Sequence, residues 1–113
     1  MSTTITLSED VADQLSNLTV GQTENVDEKL RLLLIAEYRR RLTRYRLTDE
    51  QMSQKYNMSF AAFEDQQMTK QLNYSWDVES DAIVWETAVD GIQTTKRQLA
   101  ELNDFTEKNV GLY

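Results

Sequence analysis

The alternation of apolar and polar residues near the amino terminus predicts a β-strand. Residues 3–7 carry β-branched side chains at four of five positions, with Ile5 and Leu7 on one face and Thr4 and Thr6 on the other. The rest of the pattern is helical, and a lone strand leaves its backbone N–H and C=O groups unpaired. We therefore expect the strand to pair with its copy in a second chain across a two-fold axis. The predicted fold class is mainly α, with an N-terminal β-strand paired across a dimer and helices after it.

Two helices are predicted after this strand. Ser8 can cap a helix that runs to about Leu18, and Gly21 suits a tight turn. A second helix begins near Thr23 or Asn25, where Asn25 and Glu28 have the spacing of a capping box, and it continues through Tyr45. Its broad apolar face is typical of the central helix of a dimer. The dimer core expected from strand and helix together consists of Ile5, Leu7, Leu30, Leu33, Leu34 and Tyr38.

The second half of the chain is also predicted to be helical. Thr48 to Gln51 resembles a capping box for a new or continued helix to about Tyr56, Asn57 suits left-handed geometry, and Ser59 can cap a helix to about Leu72. A long last helix is expected from Asp77 to about Asn103. Its apolar positions recur at spacings of three and four, as in a coiled coil: Val78, Ala82, Trp85, Val89, Ile92 and Leu99. This seam packs either on the helix that Ser59 caps or in a groove of another protein.

Composition narrows the possible chemistry. The 113 residues include no Cys and no His, so thiol nucleophiles, imidazole bases and zinc sites of the usual kind are excluded, and we expect no enzyme, cofactor or metal. Asp77, Glu79 and Asp81 alternate like the start of a calcium loop, but Ala82 stands where that loop needs Gly. No apolar run resembles a signal peptide or a membrane span, which predicts a cytoplasmic protein without membrane contact.

The net charge of -7 is distributed unevenly. Residues 1–47 are neutral, and the whole excess of acidic side chains lies in residues 48–113. This contrast predicts two regions with different partners, a dimerisation module over 1–47 and an acidic partner-binding region over 48–113. The arginines of the second helix, Arg39 to Arg41 with Arg44 and Arg46, either bind phosphate or an acidic surface or are solvated charges near a helix end.

The order strand, helix, Gly-containing turn, longer helix, with Gly21-Gln22-Thr23 before the second helix, resembles the ribbon-helix-helix family over residues 3–46. The resemblance implies a two-stranded ribbon in the DNA major groove and phosphate contacts at the start of the second helix. The DNA-binding residues would be Thr4, Thr6, Gly21 and Thr23. The chain departs from the family pattern because threonines read bases weakly and the acidic side chains at 24, 27 and 28 repel phosphate. A ribbon that serves dimerisation alone is the alternative.

The segment from Lys55 to Phe60, followed by Phe63-Glu64, and the later pair Trp85-Glu86 resemble C-terminal regions of prokaryotic antitoxins. The resemblance implies an antitoxin-like homodimer that neutralises a toxin protein with its C-terminal helices and regulates transcription through the N-terminal module. The partner-binding residues would be Trp76, Asp77, Glu79, Asp81, Trp85, Glu86, Asp90 and Ile92. A structural or adaptor dimer that binds neither DNA nor toxin, and a stand-alone transcriptional repressor, are the alternatives.

Overall fold

The computed structural model describes residues 2–18 and 24–110, and for residues 103–110 it describes the backbone alone. The described chain forms five helices: α1 (Glu9–Asn17), α2 (Val26–Tyr56), α3 (Phe60–Asp65), α4 (Met68–Gln71) and α5 (Trp76–Val110). It divides into two compact units, unit 1 with residues 1–36 and unit 2 with residues 37–113. The expected boundary near residue 47 falls inside α2, which contributes to both units.

The predicted N-terminal strand is absent, so the predicted fold class is wrong in this element. Residues 2–8 have no regular secondary structure, and no strand occurs anywhere in the described ranges. Ile5, expected to face a core, is 68% exposed, and Leu7 is also exposed. The preference of β-branched residues for strands expresses their packing on a pleated surface and against cross-strand neighbours. Residues 2–18 and 24–110 contain no second strand to supply such neighbours, and the local pattern alone does not form a strand.

The predicted cap residues of unit 1 are confirmed. The Ser8 side chain accepts a hydrogen bond from the Val11 amide at 3.4 Å, and α1 begins at the next residue. The Asn25 Oδ1 atom accepts one from the Glu28 amide at 3.0 Å, immediately before α2 begins. The turn expected at Gly21 lies outside the described residues.

Lys29 joins the two helices of unit 1. Its side chain is buried, and its Nζ atom donates to the backbone carbonyl oxygens of Leu15 at 3.0 Å and Ser16 at 3.4 Å. These carbonyls belong to the last turn of α1, which has no basic residue of its own. A helix leaves its last carbonyls without helical partners and carries a partial negative charge there. Lys29 from α2 therefore satisfies and neutralises the carboxyl end of α1.

The segment around Thr48 continues α2 and does not start a new helix. The Thr48 hydroxyl donates to the Arg44 carbonyl oxygen at 3.2 Å, a bond made inside a helix rather than at its start. The helix ends before Asn57, which has the predicted left-handed backbone with φ of 55°. Ser59 then caps α3 by accepting from the Ala62 amide at 3.1 Å, as the sequence predicts.

One predicted helix is replaced by two short ones. The helix expected from Ser59 to about Leu72 is interrupted at Gln67, whose φ of 51° is left-handed and separates α3 from α4. Asn73 and Tyr74 also have positive φ and turn the chain into α5. This last helix begins at Trp76, one residue before the predicted start.

Within unit 2, α2 and α5 run antiparallel. The Tyr45 ring lies against Gly91, the Asp49 carboxylate bonds the Trp85 indole, and Lys55 pairs with Asp81. Because the residue numbers rise along α2 as they fall along α5, the two helices form a hairpin whose closed end holds α3 and α4. The apolar seam of α5 lies on its inner side, where Val78, Trp85 and Leu99 are buried. In the described residues the seam packs on α3, which is the helix that Ser59 caps, and also on α2, which was not expected.

Candidate protein-interaction surfaces

The core of unit 2 is an aromatic cluster around Trp85. The Trp85 side chain has no exposed surface, and its ring centroid lies 5.1 Å from that of Phe63, 5.3 Å from Phe60 and 5.9 Å from Tyr56. Tyr56 and Phe63 also meet edge to face, at 5.0 Å. Such ring pairs contribute about 0.5–1.5 kcal/mol each beyond the area they bury. Trp85 itself has no surface left to contact a ligand, and the cluster holds α3 and the end of α2 against α5.

Two acidic side chains connect this core to solvent. The Trp85 indole N–H donates to Asp49 Oδ1 at 2.8 Å, which satisfies the only polar atom of that side chain. Asp81 Oδ2 accepts from the Tyr56 hydroxyl at 2.6 Å and from Lys55 Nζ at 2.5 Å. These hydrogen bonds, above all that from Lys55, lower the pKa of Asp81. Burial, followed by the bond to Asp81, raises the pKa of Tyr56 to about 12.

The residues expected to bind a partner separate into two groups. Trp85 lies inside its own chain, Asp81 is partly buried in the contacts just described, and Glu79 and Ile92 are also partly buried. In this conformation Trp85 therefore offers no surface to a partner. The remaining residues are exposed, with Trp76 the most exposed at 80%: Trp76, Asp77, Glu86 and Asp90.

Trp76, Ile83 and Asp90 form an exposed stripe on α5, which we call the outer α5 stripe. Successive members are seven residues apart and share one side of the helix. Ile83 is 66% exposed. Beside it lies a depression of about 280 Å³, whose lining includes the apolar side chains of Phe60, Met68 and Ile83 and the carboxylates of Glu64 and Glu86. An apolar floor beside acidic groups suits a ligand surface that combines apolar and basic side chains.

Unit 1 carries a second apolar surface. Val26, Leu30, Leu33 and Leu34 are all exposed and lie within about 100° of arc on α2; we call them the leucine stripe. Three of them are among the residues expected to form a dimer core. Lys29 and Ile35, which are buried, lie on other sides of the helix. The stripe is therefore an apolar face left over after α2 has packed on its own chain.

Of the residues expected to bind DNA, the structure describes only Thr4 and Thr6. Thr4 and Thr6 are exposed in a segment without regular secondary structure, so the ribbon that would present them is absent. Gly21 and Thr23 lie outside the described residues. The described residues also contain no group of three or more carboxylates placed to hold a metal ion. None of the described helices is long and apolar enough to cross a membrane.

Three contacts have little signal in the sequence. The register that joins Asp49 to Trp85 and Tyr45 to Gly91 pairs residues about 40 positions apart, which local periodicity does not encode. Gly91 inside a helix is an unusual choice that indicates a close approach, but it does not name Tyr45 as the neighbour. The bond from Lys29 to α1 has a weak signal, the absence of a basic residue in the last turn of that helix.

Comparisons of the chain with protein families, with curated proteins and with solved structures found no match to any of them.

Proposed function

We propose that this protein is a non-catalytic helical binding protein that associates with a second copy of itself through the leucine stripe. The observation that carries the proposal is the grouping of exposed aliphatic side chains on one side of α2. Four neighbouring side chains there are each 36–50% exposed. Contiguous exposed apolar surface of this kind marks interaction sites.

A second copy is the partner that the stripe favours. A two-fold interface needs only one self-complementary patch, and an aliphatic stripe is complementary to itself. Fully burying a Leu side chain stabilises by about 1.5–3 kcal/mol, so covering the exposed part of these four residues in both chains gains roughly 4–10 kcal/mol. Association costs at least about 4 kcal/mol in lost freedom, so we expect a dimer that dissociates on dilution.

Sedimentation velocity of the full chain over a range of concentrations tests this proposal. We expect the wild-type protein to be dimeric at high concentration and Leu33→Glu to be monomeric, because the charge would be buried without a partner. Leu47→Glu is the matched control, since Leu47 is on the same helix and even more exposed, at 53% against 37%, but lies outside the stripe. A monomeric wild type, or equal behaviour of the two variants, would contradict the proposal.

The outer α5 stripe favours a second function, the antitoxin-like binding of a basic protein. Acidic side chains surround the apolar ones on this surface and would attract a basic partner. Asp77, Glu86 and Asp90 are exposed near Trp76 and Ile83, and Glu64 and Glu86 line the adjoining depression. The ribbon that would bind an operator is absent from the described residues, so DNA binding through it does not form part of this proposal.

Affinity purification of tagged protein from its host, with nuclease treatment, tests this second function. We expect the tagged wild-type protein and Leu47→Glu each to recover one small basic protein in near-equal amount. We expect Ile83→Lys to lose it. Recovery of that protein with all three forms would place its binding elsewhere, and its absence from the wild-type sample would refute the antitoxin-like function.

A further inference from the structure

A groove with chemically different ends runs along one side of the α2–α5 hairpin in unit 2. One depression, of about 410 Å³, is lined by Arg41, Arg44, Tyr45 and Thr48. A second, of about 240 Å³, is lined by Tyr45 and Thr48 together with apolar or weakly polar residues of α5: Ile83, Val84, Thr87 and Ala88. Because Tyr45 and Thr48 line both depressions, the two adjoin, and we call them together the groove.

The first end of the groove is cationic. Glu37 pairs with Arg40 and lies 3.7 Å from the Arg41 Nε atom, so part of the Arg41 charge is already balanced. Arg44 has no ion-pair partner among the described residues. The Tyr45 hydroxyl makes no hydrogen bond to a described residue either. Guanidinium and phenol groups at one end of a groove can donate together to a phosphate, sulfate or carboxylate oxygen.

The other end of the groove is apolar and open to solvent. Ile83 is 66% exposed and Val84 45% exposed, whereas Ala88 between the helices is buried. Val84 is adjacent to Trp85, which is bonded to Asp49, five residues along α2 from Arg44. At 1.5 Å per residue, the apolar end lies about 8 Å further along the helix axis than the arginine end. A short alkyl chain attached to an anionic head spans this distance.

We propose that this groove binds a single-chain amphipathic anion, with its phosphate or carboxylate head at Arg41 and Arg44 and its alkyl chain along Val84 and Ala88. A polyanion fits the surroundings less well, because Asp49, Glu86 and Asp90 lie on the two flanking helices and would repel a chain of phosphates. The ligand that the charges favour therefore has one anionic group and a neutral remainder. The groove shares no residue with the leucine stripe and shares only Ile83 with the depression beside the outer α5 stripe.

Isothermal titration calorimetry of the full-length protein with octyl phosphate, kept below its micelle concentration, tests the proposal. Inorganic phosphate supplies the head without the chain, and octyl glucoside supplies the chain without the charge. We expect octyl phosphate to bind at least tenfold more tightly than either. We expect Arg44→Gln to weaken its binding about tenfold, and the matched control Arg46→Gln, on the same helix but outside the lining, to leave it unchanged.

Backbone amide shifts in NMR spectra give the location of binding. Octyl phosphate should shift residues 41–48 and 83–88 and leave the leucine stripe unaffected. If Arg44→Gln does not fold, Tyr45→Phe replaces it, because this change removes one hydroxyl donor and keeps the ring; a severalfold loss is then expected. Equal affinity for octyl phosphate and octyl glucoside, equal losses in the Arg44 and Arg46 variants, shifts at 26–34, or absence of binding would each overturn the proposal. Attachment to anionic vesicles without binding of the monomeric amphiphile would also overturn it.

Discussion

Gly91→Ala tests the register of the α2–α5 hairpin, because its effect on stability should change sign with the residue at 45. A Cβ atom at position 91 would lie 2.6–2.8 Å from three atoms of the Tyr45 ring. The optimal separation between carbon atoms is about 3.5–4.0 Å, so the ring would have to move by about 1 Å. The added methyl group therefore forces apart either the ring and α5 or the two helices.

Two opposing terms set the magnitude. Overpacking of this kind costs about 1–3 kcal/mol, whereas replacing Gly with Ala inside a helix gains about 1 kcal/mol. With Tyr45 in place we expect a net loss of up to about 2 kcal/mol in the free energy of unfolding. In a Tyr45→Ala background the clash is removed and only the helix preference remains, so the same substitution should stabilise by about 1 kcal/mol. The expected coupling energy between the two positions is about 1–3 kcal/mol.

Urea unfolding of the four proteins, followed by circular dichroism at 222 nm, measures this cycle. The m-value should stay constant across the set, since the surface exposed on unfolding hardly changes. A stabilising Gly91→Ala in the wild-type background, or the same effect in both backgrounds, would show that the Tyr45 ring does not pack on Gly91. The antiparallel register derived from this contact would then be wrong.

The contact between Tyr56 and Asp81 predicts two pH effects. The pKa of Tyr56 is raised to about 12. Its contribution to stability is therefore complete below pH 10 and is lost as pH rises through 12. We expect the urea midpoint of Tyr56→Phe to fall less than that of the wild type over this range. The pKa of Asp81 is lowered. Its contribution to stability is therefore present above the ordinary value of 3.8 and is lost as pH falls through the folded-state value. We expect the urea midpoint of Asp81→Asn to fall less than that of the wild type as the pH is lowered. If the urea midpoints of the two variants changed with pH as much as that of the wild type, the hydrogen bond between Tyr56 and Asp81 would be contradicted.

Short-range polar patterns predicted the helix starts well. Ser8, Asn25 and Ser59 each cap a helix where the sequence predicts one, because a cap depends on a side chain and an amide three residues away. The left-handed Asn57 has the same local origin. Features that depend on contacts within about four residues, such as helix caps and the left-handed Asn57, were therefore predictable from the sequence alone.

The predicted strand failed because it depended on a partner that the sequence does not specify. Residues 3–7 satisfy the alternation rule, yet a strand exists only when its backbone groups pair, and pairing is a property of two segments. The missed break at Gln67 has a related cause. Nothing in the local pattern of residues 60–72 requires a left-handed residue, and the fold imposes one where α3 and α4 pack around Trp85.

The geometry of α5 shows that the two tryptophans of the partner-binding prediction could not both contact one partner surface. Trp76 and Trp85 are nine residues apart, which at 100° per residue places them on opposite sides of α5. A straight helix cannot present both to one flat surface, and one of the two is 80% exposed while the other is fully buried. The periodicity of the sequence identifies two sides of α5, but it does not show which of the two packs against the rest of the chain. Because Phe60 and Phe63 surround Trp85, the side with Trp76 and Ile83 is where a partner of α5 would bind.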